Sequence, residues 1–139
     1  MIVLDTNVVS ELMKTEPSAA LVRWLNEQPR VSIWICTITV FEIRLGIGLL
    51  PIGHRRTQLE HGLARMLSEK IESRILPFDT AAADEAAILA AQRQRSGRVG
   101  ELRDTMIAGI ATSRRSTLAT RNIRHFADLP TPVVDPWTA

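Results

Sequence analysis

Short apolar runs alternate with longer segments of helical periodicity along this chain, and no other feature constrains its fold as strongly. Five runs are too short to form helices: residues 2–4, 31–37, 75–78, 116–120 and 133–134. The second run is too apolar to have a face in water, which is typical of a parallel strand covered on both sides of its sheet. Parallel strands need long crossover connections, and the helical segments between the runs supply them.

The segments between the runs carry apolar residues at helical spacing. We predict helices over residues 8–13, 19–27, 40–50, 55–70, 81–95 and 105–114, and a helical turn over residues 123–126. The pattern indicates an α/β fold, a three-layer α/β/α sandwich around a central parallel sheet of four to five short strands. A chain of 139 residues is long enough to bury one core, so we expect a single domain over residues 1–139.

Composition excludes several classes of protein. With 45% apolar and 23% charged residues the chain is not disordered, and its only cysteine, Cys36, rules out an intrachain disulfide or a cysteine-based zinc site. Residues 31–50 approach the length of a membrane span, but Glu42 and Arg44 would each cost about 2.5 to 3.5 kcal/mol in a bilayer. Since no secretory signal follows Met1, we expect a cytoplasmic protein with no membrane contact.

Acidic and polar residues follow the strands at the points where a ligand crevice is expected. In open parallel sheets the crevice lies beyond the carboxyl ends of the strands. Asp5 follows the first predicted strand and Asn122 the fourth, while Glu42 and Asp104 lie near the starts of two helices. Each acid has a plainer explanation as a helix cap, a partner of a helix dipole or a solvated charge. That explanation suits Glu42 poorly, because its neighbours in the sequence are apolar, so we expect the three carboxylates to converge.

Three carboxylates in one crevice raise each other's pKa values unless a cation is present. Mg²⁺ suits such a site, because it prefers hard oxygen ligands and is held by one or two carboxylates together with waters and phosphates. Phosphodiester hydrolysis is the chemistry that this arrangement favours.

Four short motifs in register resemble those of PIN-domain proteins. They are Leu4-Asp5-Thr6-Asn7, Thr39-Val40-Phe41-Glu42, Arg103-Asp104-Thr105-Met106-Ile107-Ala108 and Ala119-Thr120-Arg121-Asn122. Within that family the chain is similar to the VapC toxins of bacterial toxin–antitoxin pairs, and to their FitB-like branch through Leu45-Gly46 and Ile75-Leu76-Pro77-Phe78-Asp79. The resemblance extends over essentially the whole chain.

The resemblance implies a Mg²⁺- or Mn²⁺-dependent endoribonuclease, a hydrolase that forms dimers and is inhibited by a VapB-type antitoxin. Asp5 and Asp104 match the family's metal ligands, and Glu42 matches a third acid that orients or helps to deprotonate the attacking water. Thr6 and Thr120 match polar residues that support the carboxylates. The implied partners are an RNA substrate, the antitoxin and a second copy of the chain, with DNA contacted only indirectly through the antitoxin.

The chain departs from the family pattern near its fourth strand. Many members carry a further acid there, where this chain has Asn122 and His125. A neutral amide does not supply the charge of a carboxylate, so a one-metal site is favoured over a two-metal site. We assign Asn122 a catalytic role through hydrogen bonds to a water or a phosphate oxygen, and we interpret His125 as a surface or capping residue.

Arginine accounts for 15 of the 17 basic residues, and its guanidinium group binds phosphate in a bidentate way. Arg121 and Arg124 flank the expected crevice, and Arg93, Arg95 and Arg98 form a second cluster. Both groups are equally well explained as solvated arginines, so the sequence alone does not assign them to RNA.

Two other functions use the same crevice. A non-catalytic module that binds RNA or sequesters a partner would keep the acids without turnover, and Asn122 leaves that alternative open. A phospho-acceptor receiver domain also places aspartates at the ends of parallel strands, but it needs a nearby lysine, and neither Lys14 nor Lys70 follows a late strand. We therefore predict the ribonuclease toxin, with the binding module as the alternative.

Overall fold

Five short strands alternate with six helices in the computed structural model, which describes residues 1–139. The strands are β1 (Ile2–Leu4), β2 (Ile33–Cys36), β3 (Ile75–Leu76), β4 (Thr117–Ala119) and β5 (Val133–Val134). The helices are α1 (Thr6–Leu12), α2 (Ala19–Asn26), α3 (Thr37–Gly48), α4 (His54–Arg65), α5 (Thr80–Arg95) and α6 (Leu102–Ser113). A turn of π-helix, Met66–Lys70, extends α4, and two 3₁₀ turns cover Arg30–Ser32 and Ile123–Phe126.

The five strands form one parallel sheet with the order β3-β2-β1-β4-β5. The chain therefore moves outward from β1 through β2 to β3, and then returns to place β4 on the other side of β1. A ligand crevice is expected at such a reversal, beyond the carboxyl ends of the two strands that flank it. Here those strands are β1 and β4, the two that precede Asp5 and Thr120.

Each face of the sheet is covered by a separate apolar cluster. Side chains from α1, α2, α3 and α4 pack on one face, with Val8, Leu21 and Ile43 among the buried members. Helices α5 and α6 and the turn at Phe126 cover the other face. The prediction of a three-layer α/β/α sandwich around a parallel sheet of four to five strands is thus confirmed, with five strands.

Several element boundaries differ from the predicted ones, for local reasons. Residues 30–32 form a 3₁₀ turn rather than the start of β2, because the Ser32 hydroxyl donates a hydrogen bond to the Pro29 carbonyl at 2.6 Å. Helix α6 begins at Leu102 rather than at residue 105, because the Glu101 carboxylate caps it by accepting the Asp104 N–H at 3.3 Å. Asp104 therefore lies inside the first turn of α6. No helix is both long and apolar enough to cross a membrane.

Candidate functional site

Asp5 lies at the centre of the crevice between the ends of β1 and β4. It directly follows β1, caps α1, and is 3% exposed. Its Oδ1 accepts a hydrogen bond from the Thr6 N–H at 2.8 Å. Its Oδ2 accepts hydrogen bonds from Asn7 Nδ2 at 2.9 Å and from Thr120 Oγ1 at 2.7 Å. Thr120 is the residue that follows β4, so these bonds join the ends of the two central strands and fix the carboxylate.

Burial raises the pKa of Asp5 from 3.8 to about 6. The hydrogen bonds from Thr120 and Thr6 oppose that rise, while the negative charges of Asp104 and Glu42 add to it. Asp104 and Glu42 therefore both lie close enough to Asp5 to act on it electrostatically. A cation at this point would relieve both the desolvation of Asp5 and the repulsion between the acids.

Glu42 forms one wall of the crevice from the second turn of α3. Its Oε1 accepts the Thr6 hydroxyl at 2.8 Å, and Thr39 Oγ1 lies 3.1 Å from Thr6 Oγ1. Because the only hydroxyl proton of Thr6 is used by Glu42, Thr39 is the donor of the second bond. Glu42 Oε2 also lies 3.8 Å from Arg103 Nη1, an ion pair between α3 and α6. Glu42 is held by these contacts and is not a freely solvated charge.

Asp104 forms the opposite wall. Its place in the first turn of α6 is favourable for a carboxylate, because the amino end of a helix carries partial positive charge. His125 lies in the 3₁₀ turn after β4, and its Nδ1 is 3.2 Å from Asp104 Oδ2. The histidine that the sequence suggested as a surface or capping residue is exposed, and it also contacts one of the candidate metal ligands.

Asn122 is linked to the crevice through its main chain. Its N–H donates to Thr120 Oγ1 at 3.0 Å, and Thr120 in turn bonds Asp5. The side chain is exposed. Its catalytic role stays a prediction.

The acids lie between two grooves. The larger, of about 1030 Å³, is lined by α1, α3, α4 and the π-helical turn, and it includes Thr6 and Glu42. The smaller, of about 310 Å³, includes Asp104 and His125. A long substrate or partner thus has access to the acids from two sides.

The geometry agrees with what comparison with known proteins finds. A family model described as the PIN domain matches residues 2–131. The chain belongs to the PIN-domain family. The resemblance that the four motifs carried is therefore confirmed at the level of the family.

Within the PIN-domain family the chain is similar to named toxins. It is 38% identical over 137 residues to "VapC ribonuclease Y4jK" of Sinorhizobium fredii, with 99% of this chain and 98% of that protein covered. It is 34% identical over 137 residues to "Toxin FitB" of Neisseria gonorrhoeae, with 99% of each chain covered. Among solved structures, that of FitAB bound to an IR36 DNA fragment has a TM-score of 0.88 and 33% identity, and covers 99% of this chain and 96% of that one.

The residues of this PIN-domain site fit a divalent cation bound through few carboxylates. A carboxylate accepts about four hydrogen bonds, and Asp5 uses three, which leaves a free acceptor position on Oδ1. Asp104 likewise keeps its Oδ1 free of the His125 contact. No group of three His, Cys, Asp or Glu side chains lies close enough together to bind one ion directly. The donor set therefore suits Mg²⁺, which keeps several waters when one or two carboxylates hold it.

The sequence did not predict the contacts of three side chains that shape this site. Arg103 pairs with Glu42, and His125 contacts Asp104, but neither pairing follows from spacing along the chain. The sequence grouped Arg93 with Arg95 and Arg98 in a cluster that either binds RNA or is solvated, and the structure corrects this for Arg93, which is buried and bonded to Asp128. Burial of Arg93 requires an acidic partner, and that partner, Asp128, lies more than thirty residues away in the sequence.

Proposed function

We propose that this PIN-domain protein is the toxin of a type II toxin–antitoxin pair, and that it hydrolyses RNA phosphodiester bonds with Mg²⁺ or Mn²⁺ as cofactor. The observation that carries the proposal is the buried Asp5 between β1 and β4, whose raised pKa reflects burial and the nearby charges of Asp104 and Glu42. The similarity of the chain to a protein named as a VapC ribonuclease and to the toxin FitB supports it.

Asp5 and Asp104 are the residues that would hold the cation. A divalent cation bound there would lower the pKa of a water molecule and stabilise negative charge on the phosphate. Asp5 presents its free Oδ1 position in a fixed orientation, because three donors hold the rest of the carboxylate. The Asp104 carboxylate is oriented by His125 Nδ1.

Glu42 would orient the attacking water and accept its proton. Its Oε1 accepts a hydrogen bond from Thr6, whereas Oε2 has only the 3.8 Å ion pair with Arg103 Nη1, so Oε2 is the oxygen that would act as the base. As that proton moves to Oε2, the water oxygen would form a bond to phosphorus, the bond from phosphorus to the leaving ribose oxygen would break, and the leaving oxygen would take a proton from solvent water. Asn122 would hold a water or a phosphate oxygen through its side-chain amide.

The variant Asp5→Asn tests the site, because it removes the charge of the buried ligand while keeping its size. We expect RNA cleavage in Mg²⁺ to fall about a hundredfold or more, and growth arrest on induced expression to disappear. Asp84→Asn, an exposed position on α5, is the matched control and should cleave RNA like the unaltered protein. Circular dichroism of both variants checks the fold. Full activity of the Asp5 variant would exclude this site.

A non-catalytic module that binds RNA or sequesters a partner is the second candidate, and the neutral Asn122 is the feature that favours it. Titration with Mg²⁺ and Mn²⁺ separates the two. Saturable metal binding together with RNA cleavage supports the nuclease. RNA binding that EDTA does not change, without cleavage products, supports the module.

We propose that a VapB-type antitoxin inhibits the protein by placing a segment in the larger groove, up to Glu42. The groove combines an apolar floor at Ile47 and Leu59 with cationic side chains at Arg55 and Arg65, which suits an amphipathic acidic segment. Arg65→Glu should weaken co-purification with the cognate antitoxin, whereas Arg95→Glu, outside the groove, should not. Any binding to DNA should require the antitoxin, as a gel-shift experiment with and without it will show.

We also propose that the protein is a homodimer. Helix α3 and the residues after it expose a stripe of large apolar side chains, Phe41, Leu45, Leu49 and Ile52. Exposed apolar stripes of this kind mark protein–protein contact sites.

A further inference from the structure

The smaller groove has no role in the proposed hydrolysis beyond its contact with Asp104 and His125. It lies between the loop that joins α5 to α6 and the 3₁₀ turn after β4. Val99 is the only hydrophobic residue among the nine that line it. Its volume of about 310 Å³ and its polar walls suit a charged ligand rather than an apolar one.

Arg93 and Asp128 form the rigid floor of this groove. Arg93 is 5% exposed, and its Nε and Nη2 bind the two carboxylate oxygens of Asp128, each at 2.9 Å. Its other donors reach Thr105 Oγ1 at 3.0 Å and the His125 carbonyl at 2.7 Å. The two opposite charges cancel, and the bonds fix the turn that carries His125 against the start of α6.

The loop above this floor is shaped by two glycines. Gly97 has a φ of +72°, in the left-handed region that favours glycine. A Cβ on Gly100 would lie 2.7 Å from Arg93 Nη1, so the loop rests directly on the buried guanidinium. This path presents Arg98 between the two glycines, with its side chain in solvent and only a 3.4 Å contact to Asp128.

Two guanidinium groups remain for a ligand once the acids of the groove are paired. Asp128 is neutralised by Arg93, and Glu101 pairs with Arg103 at 3.3 Å. Arg124 is exposed, and none of the ion pairs of the structure includes it. Arg98 and Arg124 thus provide positive charge along a groove that ends at Asp104.

We propose that this groove binds the sugar–phosphate backbone of the RNA strand on the Asp104 side of the bond that is cut, with Arg98 and Arg124 each contacting a phosphate. The assignment rests on the proposed ribonuclease function. Arginine matches the geometry of phosphate oxygens, and such contacts set the position of a strand without reading its bases. The groove therefore sets the register of the strand and does not select its sequence.

Binding of a labelled single-stranded RNA, measured by fluorescence anisotropy in EDTA so that no cleavage occurs, tests the assignment. Each phosphate contact that is lost should reduce the slope of log Kd against log salt by about 0.7. We expect that reduction in Arg98→Ala and in Arg124→Ala, and about twice as much in the double variant. Arg95→Ala is the control, because Arg95 is an exposed arginine of α5 that does not line the groove.

The possible outcomes distinguish a wrong groove assignment from a wrong proposed function. If the groove variants keep the salt slope of the unaltered protein, or change no more than Arg95→Ala, while the unaltered protein cleaves RNA, the groove assignment is wrong and the nuclease stands. If the unaltered protein neither binds nor cleaves RNA, the proposed function fails and the groove assignment fails with it. Loss of slope confined to Arg98 and Arg124 supports the assignment.

Discussion

At the scale of single residues, the fold buries the Asp5 carboxylate, which makes its ionised form unfavourable until a cation is bound. The unfolded chain would give this carboxyl its ordinary pKa of 3.8, whereas burial in the crevice raises it to about 6. The folded protein then binds a proton more tightly than the unfolded one. Ionised Asp5 therefore destabilises the metal-free protein at neutral pH, and a bound cation removes that cost.

This difference predicts a dependence of stability on pH. Because the pKa is higher in the folded state, the free energy of unfolding should rise as the pH falls from 7 to 5, by about 1 to 1.5 kcal/mol from Asp5 alone. Urea denaturation without metal, at both pH values, measures it, and Asp5→Asn is the reference because it carries no charge. A difference between the two proteins that stays constant from pH 7 to 5 would contradict the raised pKa.

The affinity for Mg²⁺ should also depend on the ionisation of Asp5, but it should fall at low pH, where the stability of the metal-free protein rises. At pH 5 about nine-tenths of Asp5 would be protonated, so the affinity for Mg²⁺ should be about tenfold lower than at pH 7.5. The rise in Tm caused by Mg²⁺ reports the affinity, since a ligand that binds only the folded state stabilises it. We expect a clear rise at pH 7.5, a much smaller one at pH 5, and none in Asp5→Asn. An equal rise at both pH values would exclude Asp5 as a ligand.

The sequence could predict that Asp5, Glu42 and Asp104 lie near one crevice, because each position depends on local rules, while their roles in metal binding and catalysis stay predictions. Residues after parallel strands reach the same edge, and acids favour the first turns of helices. Arg103 and His125 were not predicted, because their partners depend on how α6 packs against α3 and against the turn after β4. Charge pairs between elements are set by tertiary packing, on which a single sequence carries little information.

At the scale of elements, the contact of α5 with α6 depends on Gly109. A Cβ at that position would lie 2.5 Å from the Ala82 carbonyl oxygen and 2.7 Å from the Ala86 Cβ. Gly109→Ala should therefore destabilise the protein by about 1 to 3 kcal/mol, although alanine is the better helix former. Gly62→Ala, in α4, is the matched control, because a Cβ on Gly62 would have no neighbouring atom within 4 Å outside the helix backbone, and the substitution should stabilise the protein by about 0.5 to 1 kcal/mol. Chemical denaturation of both variants decides the comparison.

The buried Arg93 joins three elements, and its removal should be costly. Arg93→Met keeps the length of the side chain but leaves Asp128 without its bidentate partner. We expect a loss of about 2 to 4 kcal/mol in the free energy of unfolding, because a partly buried charge and several hydrogen bonds lose their partner. Arg95→Met, on an exposed position of the same helix, should change stability by less than about 0.5 kcal/mol. Equal effects of the two substitutions would contradict the structural role of Arg93.

The order of elements was predictable while their ends were not. Periodicity found all six helices, because apolar stripes extend over several turns. Helix starts were misplaced where a cap was not recognised, as at Glu101, or where the helix follows a strand directly, as at Thr37. The order of the strands in the sheet, which brings β1 beside β4, was not predicted, because strand pairing depends on how distant segments pack together.

At the scale of the whole molecule, the sheet order explains why one crevice collects residues from distant parts of the chain. The reversal between β1 and β4 brings Asp5 to within a hydrogen bond of Thr120, 115 residues later. Glu42 and Asp104 come from helices on opposite faces of the sheet, α3 and α6. The site thus depends on all three layers, and disturbance of any one of them should affect it.

The apolar stripe of α3 lies on the outside of the same helix that supplies Glu42. Phe41 and Leu45 are one helical turn apart, Leu49 follows at the same spacing, and Leu49 and Ile52 are 77% and 94% exposed. Two copies of the chain related by a twofold axis would bury the stripe of each against the other, since such an interface uses the same patch on both partners. Because Glu42 directly follows Phe41, that contact would also hold the wall of each crevice in place.

A charge in the middle of the stripe should therefore separate the copies. Leu45→Glu would place a carboxylate in the buried part of the interface, and light scattering should then give the mass of one chain, 15.5 kDa, where the unaltered protein gives about twice that value. Val99→Glu is the control, because Val99 is similarly apolar and exposed but lies outside the stripe. If the copies stabilise the crevice wall, Leu45→Glu should also lower RNA cleavage, and raising the protein concentration should restore part of it. An unaltered protein with the mass of one chain at all concentrations would exclude the homodimer.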